Sequence, residues 1–532
     1  MVFNRMTQPS TMGRQVSRTE RFQAPFRGWI RNEALSQPKP GGAEVLTNWF
    51  PTPEGCRMRR GSSKHASMGD EATYLTVYRS GSIEKLFGAT PTDIYDVSSP
   101  ADPDTPPSAA VSGKTSGYWS SVQFATTGGD FLVMVNGADD MEQFDGSSWL
   151  TVNATSSPRA ITGVDTADIS HVWKFKNYLF MVKSGTMDAY YLPVGTVAGA
   201  ATLFTLGGVF HLGGELLYGA TWSIDSGDGI DDYCVFITTE GEVAVYQGTN
   251  PATAADFALV GVYRIGRPLG KNAWFKAGGD IAILTDDGIV PMSSVMKLDR
   301  SGLKKVAITY PIEEAWRQIV NERDTGVRPF TCVLWQSETM LVIGIPASGG
   351  QEKVTFVANA RTGAWAPYVG WDIRCLAIFD DKLFFGTRDG SVVRGEITGA
   401  DRGAPYTATV VPKFVSFGSP AEKSALAARV IARANNAFTP QLFANADYEV
   451  DIPIGLDADP DGDGNLWDVG IWNQSTWGGS AMAKRRQSEW QTVLASGQAL
   501  APGLSITSGR TAAPDVELIE LDLQFEVGEV MA

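Results

Sequence analysis

The sequence predicts a mainly β protein: a β-propeller followed by a β-rich, sandwich-like C-terminal domain, with one or two short helices. Three observations predict this fold. The 532 residues include 57 glycines and 28 prolines, an excess that favours many turns between short strands. One hairpin pattern recurs along the chain. After about residue 397 that pattern gives way to longer segments in which polar and apolar residues alternate.

Five stretches of the chain share the hairpin pattern. Each has a run of largely apolar residues and then a polar turn that ends in glycine, and a second strand often follows. Glycine adopts the positive φ that such turns require. The stretches are GDFLVMVNG from Gly129, KNYLFMVKSG from Lys176, DYCVFITTEG from Asp232, GDIAILTDDG from Gly279 and DKLFFGTRDG from Asp381.

The spacing of these stretches indicates a propeller. The copies recur roughly every 40–60 residues, as propeller blades do. Two weaker copies lie at residues 72–88 and 332–346. Five to seven blades fit the pattern. A meandering β-sandwich is the alternative, because it also forms hairpins at intervals.

The chain divides into three parts by these patterns. Residues 1–47 form an N-terminal arm and lead-in, and the basic, polar residues 1–25 are expected to become ordered only against a neighbouring protein. Residues 48–396 form the propeller-like repeat domain. Residues 397–532 form the C-terminal β-rich domain.

Three segments lie outside the repeat pattern. Residues 310–324, YPIEEAWRQIVNERD, predict a helix that packs on the propeller, since its apolar side chains share one face. Residues 420–437, PAEKSALAARVIARANNA, fit either a helix or a strand. Residues 515–530, DVELIELDLQFEVGEV, alternate in polarity and predict a strand with one solvated face. The apolar face of the helix comprises Ile312, Trp316, Ile319 and Val320.

Composition and charge exclude several function classes. The net charge of −15 argues against broad DNA wrapping, which needs clustered Lys and Arg. The four cysteines lack CxxC spacing and the three histidines are dispersed, so we expect no thiolate metal site, no catalytic residue and no enzymatic activity. No run reaches the ~18 apolar residues of a membrane span, and the N-terminus lacks the apolar core of a signal peptide. Stable membrane insertion and secretory export are therefore not expected.

An aspartate-rich loop is the sharpest local signal for a ligand. In DADPDGDGNLWD, alternating carboxylates have the spacing of a calcium-binding EF-hand loop. The loop departs from that pattern: an aspartate replaces the final glutamate, Pro460 stiffens the turn and no helix pair flanks it. An acidic surface loop without metal is the alternative. The candidate calcium ligands are Asp457, Asp459, Asp461, Asp463 and Asp468.

Two further motifs indicate function more weakly. SIDSGDGI, residues 223–230, nearly matches a turn of sialidase-type propellers, but Ile230 stands where that turn has an aromatic residue. Even a full match would be structural. Trp467, Trp472 and Trp477 recur every five residues, a period of neither helix nor strand. They fit buried anchors of an irregular loop better than a stacking surface for sugars or bases.

Both ends of the chain resemble one protein family. Residues 26–66, FRGWIRNEALSQPKPGGAEVLTNWFPTPEGCRMRRGSSKHA, resemble the N-terminal signature of tail nozzle or tail hub (tail tubular protein B-like) proteins of short-tailed bacteriophages. PKFVSFGSPAEKSAL, residues 412–426, and ELIELDLQFEVGEV, residues 517–530, look like segments of the same family. The matching N-terminal positions are Asn48, Trp49, Phe50, Pro51, Arg59, Arg60 and Gly61.

The resemblance implies a structural virion protein. Such a protein, made in the host cytoplasm, forms a homo-hexameric ring in the phage tail. There it contacts the portal and adaptor ring proteins and the distal tail proteins, and it retains packaged double-stranded DNA and conducts it during ejection. The residues leave open an alternative from another class: a tail propeller that binds a receptor or carbohydrate and even cleaves glycans.

The basic cluster Arg57, Arg59 and Arg60 is then expected to be mainly structural. Arginine pairs bidentately with carboxylates, and an acidic chain supplies many of them. A DNA contact is the alternative interpretation of the cluster.

Overall fold

The structure is a computed structural model that describes residues 17–34, 39–223, 232–323, 329–435, 438–453 and 485–528. Six strands occupy its N-terminal part. They are β1 (Arg18–Gln23), β2 (Gly28–Trp29), β3 (Gly42–Thr47), β4 (Trp49–Thr52), β5 (Gly55–Met58) and β6 (Gly61–Ser67).

Seven groups of three or four antiparallel strands then follow in chain order, and the group of blade 6 is part of a larger sheet. Blade 1 contains β7 (Tyr74–Ser80), β8 (Ile83–Ala89), β9 (Ile94–Asp96) and β10 (Ala109–Val111), and blade 2 contains β11 (Ser120–Thr126), β12 (Gly129–Val135), β13 (Met141–Phe144) and β14 (Trp149–Val152). Blade 3 contains β16 (Ile169–Phe175), β17 (Tyr178–Lys183), β18 (Asp188–Tyr191) and β20 (Thr202–Thr205). Blade 4 contains β21 (Leu216–Ser223), β22 (Asp232–Thr238), β23 (Glu242–Gln247) and β24 (Ala258–Arg264). Between them, β15 (Ile161–Thr162) pairs with β19 (Gly199–Ala200) in parallel. Blade 5 contains β25 (Trp274–Ala277), β26 (Asp280–Thr285) and β27 (Gly288–Pro291). Blade 6 contains β28 (Thr331–Trp335), β29 (Met340–Gly344), β30 (Val354–Asn359) and β31 (Trp365–Val369). Blade 7 contains β32 (Cys375–Phe379), β33 (Lys382–Gly386) and β34 (Ser391–Gly399).

These sheets close into a propeller. The first strands of successive blades contact one another in chain order, except that β21 of blade 4 contacts β26 of blade 5, and β32 of blade 7 returns to β7 of blade 1. Separate hydrophobic clusters fill the spaces between blades. The N-terminal strand β6 pairs with β34 and completes blade 7, which ties the two ends of the ring together. The predicted propeller is confirmed, and the described residues form seven blades.

The predicted hairpins also appear. Each of the five strong copies supplies the second strand of a blade, and the strand after its glycine is the third. The turn glycines have positive φ, for example +81° at Gly241 and +76° at Gly390. The two weaker copies are the first hairpins of blades 1 and 6.

Helical segments interrupt the blades. They are the 3₁₀ turns Thr166–Asp168 and Tyr310–Ile312, and the helices α1 (Met292–Val295), α2 (Arg300–Val306) and α3 (Glu313–Glu322). The sequence predicted α3 but neither α1 nor α2. As predicted, α3 packs on the propeller: Trp316 is buried and its Nε1 donates to the carbonyl of Thr285 in blade 5, at 3.0 Å. Within the described ranges, no helix is long and apolar enough to cross a membrane.

The C-terminal part forms two larger sheets around one core. Its strands are β35 (Tyr406–Pro412), β36 (Lys423–Ala434), β37 (Gln441–Ala446), β38 (Arg485–Gly497), β39 (Leu500–Ser508), β40 (Arg510–Ala512) and β41 (Glu517–Val527). One sheet continues from blade 6 in the order β28-β29-β30-β31-β2-β3-β35-β39-β37. The other has the order β38-β36-β41-β5-β4, with β1 also paired to β41. β40 belongs to neither sheet and pairs with β34 of blade 7. Both contribute side chains to a shared hydrophobic core. The ambiguous segment 420–437 is therefore a strand over most of its length.

Strands from the two ends of the chain interleave in these sheets. β3 pairs with β35, β5 pairs with β41, and β1 pairs with β41 from Arg18↔Phe525 to Gln23↔Glu520. The expectation that residues 1–25 become ordered only against a neighbour is therefore wrong for β1, which is held by the same chain. The division into parts at residues 47/48 and 396/397 stays a prediction.

The last strand keeps the predicted alternation only from residue 520 onward. Leu521, Leu523 and Phe525 are buried there, but Asp522, on the face predicted to be solvated, is also completely buried and pairs with Arg429. Before them the register shifts, so that Leu518 points into the core and Ile519 is 40% exposed. A bulge of this kind moves side chains to the opposite face, which simple alternation does not anticipate.

Candidate functional site

Arg59 lies at the meeting point of the N-terminal segment, the propeller and the C-terminal sheets. Its side chain is completely buried. Nε donates to Asn48 Oδ1 at 2.8 Å, and the two terminal nitrogens donate to the Asp401 carboxylate at 3.0 and 2.6 Å. A further bond of 3.1 Å reaches the carbonyl of Val369 at the end of blade 6. A buried guanidinium is tolerated only when its donors are used in this way.

Aromatic rings complete the environment of Arg59. Its Cζ lies 3.9 Å from the centre of the Tyr406 ring and 5.1 Å from that of Trp371. Burial alone would lower the pKa of the guanidinium, but the hydrogen bonds and charge of Asp401 raise it above its ordinary value. The group therefore stays charged and acts as a fixed cation inside the protein.

The other two arginines of the cluster also pair within the chain. Arg57 contacts Glu396 at 2.8 Å, and Arg60 contacts Asp515 at 2.7 Å. We call Arg57, Arg59, Arg60 and their carboxylate partners the arginine junction. It joins the N-terminal segment to blade 7 and to the C-terminal strands. The structural interpretation of the basic cluster is confirmed.

A second polar cluster lies among the inner strands of the propeller. His171 in β16 contacts the hydroxyl of Ser120 through Nδ1 at 2.8 Å and donates from Nε2 to the carbonyl of Gly219 at 3.0 Å. These contacts link blades 2, 3 and 4. Burial, and secondarily the nearby Lys271, lower the pKa of the His171 ring to about 3. The ring is therefore neutral at physiological pH.

Lys271 reaches across the propeller beside this histidine. Its Nζ donates to the carbonyls of Tyr118 at 2.6 Å and Ser170 at 2.8 Å, and the adjacent Asn272 donates to the carbonyl of Trp119 at 3.0 Å. We call Lys271 and Asn272 the axial bridge, because they connect the blade 5 lead-in to blades 2 and 3. Desolvation lowers the pKa of the Lys271 amine to about 7.

The sequence did not indicate the axial bridge. Lys271 and Asn272 sit in a short polar link before β25, which resembles any other turn. Their importance depends on carbonyls from blades 2 and 3, which only the closed ring brings near. The paired partners of the arginine junction were missed for the same reason, since Asp401 and Asp515 are distant in sequence.

The predicted metal ligands cannot be placed in this site. Asp457, Asp459, Asp461, Asp463 and Asp468 lie outside the described residues, as do the three tryptophans Trp467, Trp472 and Trp477 and most of the SIDSGDGI segment. Among the residues that the structure does describe, no group of three or more His, Cys, Asp or Glu side chains could hold a metal ion. The calcium-binding loop stays a prediction.

Over the residues that the structure describes, the sheets define the class of this protein: a seven-bladed β-propeller joined by a buried arginine junction to a sandwich-like β unit. No protein-family model and no curated protein matches the chain. Among solved structures, the computationally designed Ika8 protein is 11% identical with a TM-score of 0.35, over 63% of this chain and 100% of its own.

Two structures of BBS1N in complex with ARL6DN are also similar to the chain. The one soaked with lead is 10% identical with a TM-score of 0.39, over 67% of this chain and 99% of its own. The one soaked with mercury is 8% identical with a TM-score of 0.38, over 66% and 97%. These TM-scores are low, so the similarities indicate nothing about the function of this chain. Its fold is defined by its own sheets.

Proposed function

We propose that this chain is a structural virion protein, the tail nozzle or hub ring of a short-tailed bacteriophage, and that it retains packaged DNA and conducts it during ejection. In this role six copies form a ring with a central channel. Portal and adaptor ring proteins lie on one side and distal tail proteins on the other. The chain performs no reaction of its own.

One observation carries the proposal: the segments that resemble the phage family come together in a single unit. β4 contains Trp49, Phe50 and Pro51 of the signature and directly follows Asn48; β5 contains Arg57 and is directly followed by Arg59 and Arg60. The two strands pair with each other from Trp49↔Met58 to Thr52↔Gly55. β5 then pairs with β41, and β41 with β36. Strands β36 and β41 overlap the two C-terminal segments that look like this family. The resemblance therefore follows one connected part of the fold rather than scattered matches.

The signature residues also have defined structural roles there. Asn48 has a φ of +61°, accepts a hydrogen bond from Arg59 and donates one to the carbonyl of Thr407 at 2.7 Å. Trp49 is fully buried. Gly61 has no room for a side chain, since a Cβ would lie 2.2 Å from the carbonyl oxygen of Ala400. Such requirements support a shared architecture in which the motif is scaffold and not a reaction centre.

The alternative, a receptor- or carbohydrate-binding propeller, has one observation in its favour. An open polar cleft of about 660 Å³ lies beside blades 2 and 3. It is lined in part by Asp140, Asn153, Asp165, Lys183 and Tyr190, and carboxylates, amides and an aromatic ring are suited to sugar hydroxyls and faces.

Phage particles that encode this chain distinguish the two functions. For a nozzle, antibody labelling marks the end of the tail nearest the channel, and particles assembled without the chain lose their packaged DNA. For a receptor binder, particles without the chain keep their DNA and fail only to adsorb. Absence of the chain from purified particles would contradict both.

A further inference from the structure

The six-stranded C-terminal sheet has two open edges among the described residues. β38, thirteen residues long, pairs there only with β36. On the other side of the sheet, β1 pairs only with β41. An edge strand presents a row of unpaired N–H and C=O groups, which can accept a strand from another chain.

The two edges have matching strand directions. β38 is antiparallel to β36, β36 is antiparallel to β41, and β41 is antiparallel to β1. β1 and β38 therefore run in opposite directions at opposite edges of one sheet. If a second copy is placed beside the first in the same orientation, its β38 lies antiparallel to β1 of the first copy and the sheet continues without interruption.

The side chains at the two edges also fit each other. Trp490 and Leu494 on β38 are 43% and 84% exposed, which is unusual for large apolar side chains. In register, Trp490 lies beside Arg429, whose Cζ is 4.8 Å from the indole centre. The same row continues through Asp522 to Arg21 on β1. Arg21 thus belongs to the face of the sheet that carries Trp490.

The charged side chains of the two edges are placed differently along their strands. The six residues of β1, RTERFQ, carry two arginines and one glutamate. β38 also carries two arginines and one glutamate: Arg485 and Arg486 stand at its start, and Glu489 is next to Trp490. A neighbouring β1 would bring a guanidinium to the exposed indole of Trp490, whose ring face attracts cations.

We propose that β38 of one copy pairs antiparallel with β1 of the next copy, so that the C-terminal sheets form a continuous belt through the assembly. The contact is heterologous, since it joins two different surfaces, and contacts of this kind close into rings when the rotation between copies allows it. The proposal rests on the proposed function in one respect, namely that copies of this chain assemble with one another.

Covalent trapping tests the strand pairing. Directly opposed residues of antiparallel strands have Cα atoms about 4.5–5.5 Å apart, within the range that a disulfide spans. We would combine Arg21→Cys with Ser488→Cys, Trp490→Cys or Thr492→Cys in full-length double variants. Within one chain the two positions lie on opposite edges, separated by two strands, so an intrachain disulfide cannot form. Oxidation is expected to give a ladder of covalent oligomers for at least one pair.

The controls use the same strand and the same cysteine chemistry. Arg21→Cys with Glu489→Cys places the second thiol on the opposite face of the sheet and is expected to give no ladder. Wild-type protein reports any background from its own cysteines, of which Cys56, Cys234 and Cys375 are buried. The mass of each assembly in solution is measured before oxidation.

Each outcome decides the proposal. A ladder confined to the same-face pairs supports it. An assembly of defined mass without a ladder for any pair overturns the strand pairing and leaves the nozzle function standing. A chain that is monomeric at all accessible concentrations overturns both. A second measurement compares two exposed leucines. Leu494→Glu is expected to abolish assembly under conditions where wild type assembles, whereas Leu203→Glu, at a 49% exposed position on blade 3, leaves assembly intact. Unchanged assembly of the Leu494→Glu variant overturns the pairing.

Discussion

Arg59 illustrates how single residues hold this fold together. Its guanidinium is surrounded by Asn48, Asp401 and the ring of Tyr406, and no part of the side chain reaches solvent. That Arg59 forms an ion pair could be predicted from the sequence, because clustered arginines in an acidic chain favour pairing with carboxylates. The partner could not be predicted, since the pairing of Arg59 with Asp401 depends on how the propeller and the C-terminal sheets meet.

Removing the partner of Arg59 should be strongly destabilising. Asp401→Ala leaves a buried cation without its counter-charge, which typically costs about 3–5 kcal/mol of unfolding free energy. Asp104→Ala is the matched control, since Asp104 pairs with Lys64 at 2.7 Å but is 81% exposed; its loss should cost about 0–1 kcal/mol. Chemical denaturation measures both. Equal effects of the two substitutions would mean that the arginine junction is not a structural anchor.

The axial bridge should give the protein a specific pH dependence. The pKa of Lys271 is lowered to about 7 in the folded state from an ordinary value of 10.5. Between these two values the unfolded chain holds one more proton, so the contribution of Lys271 to stability rises with pH across that window. Lys271→Met should remove this rise.

The measurement is the melting temperature as a function of pH from about 6.5 to 10.5. Lys276→Met is the control, because Lys276 is an exposed lysine on β25 next to the bridge. The control curve should stay parallel to that of wild type while the Lys271→Met curve is flatter. Parallel curves for all three proteins would show that the amine of Lys271 titrates as it does in the unfolded chain.

At the scale of elements, the hairpins could be predicted and the ring closure could not. A strand, a polar turn and a glycine are neighbours in sequence, so their signal is local. The outer strand of blade 7 is β6, from the other end of the propeller sequence, and nothing in GSSKHAS indicates that it pairs with β34. β36 was ambiguous because alanine favours a helix, yet two neighbouring strands impose the extended conformation.

The turn glycines should tolerate substitution according to the space around them. Gly241 has a φ of +81°, and a Cβ there would lie 2.6 Å from the carbonyl oxygen of Gly266. Gly241→Ala should therefore destabilise blade 4 by about 1–3 kcal/mol through strain. At Gly81, which has a φ of +57°, an added Cβ would meet no atom within 4 Å, so Gly81→Ala reports the effect of backbone conformation alone. It should lower the free energy of unfolding by less than Gly241→Ala does. Hydrogen exchange in blade 4 and thermal unfolding measure the difference, and a larger effect at Gly81 would refute this ranking.

The aspartate-rich loop should respond to calcium. If its carboxylates bind the ion, calcium raises the melting temperature by favouring the folded state, and Asp459→Ala abolishes the rise. Asp380→Ala, at an acidic position outside the loop, should keep it. The idea fails if calcium has no effect on wild type, or if Asp459→Ala responds as wild type does.

For the whole molecule, the net charge determines how the proposed ring would act on DNA in its channel. In the proposed hexamer, six copies at −15 each would give a ring of about −90. Because the axial bridge crosses the propeller within each chain, the DNA of a nozzle would pass between copies rather than along a propeller axis. A basic wall would hold phosphates through counterion release, whereas an acidic wall repels them and keeps the duplex mobile. We therefore expect Asp and Glu to outnumber Lys and Arg on the channel wall, with retention by inward loops.

The most direct test of the nozzle assignment is electron cryomicroscopy of the assembled full-length protein. We expect a six-fold ring with an open central channel, wide enough for duplex DNA and lined mainly by acidic side chains. An elongated trimeric spike would favour the receptor-binding alternative. A hexamer whose channel is closed to DNA along its whole length, or is lined mainly by arginine and lysine, would contradict the proposed nozzle.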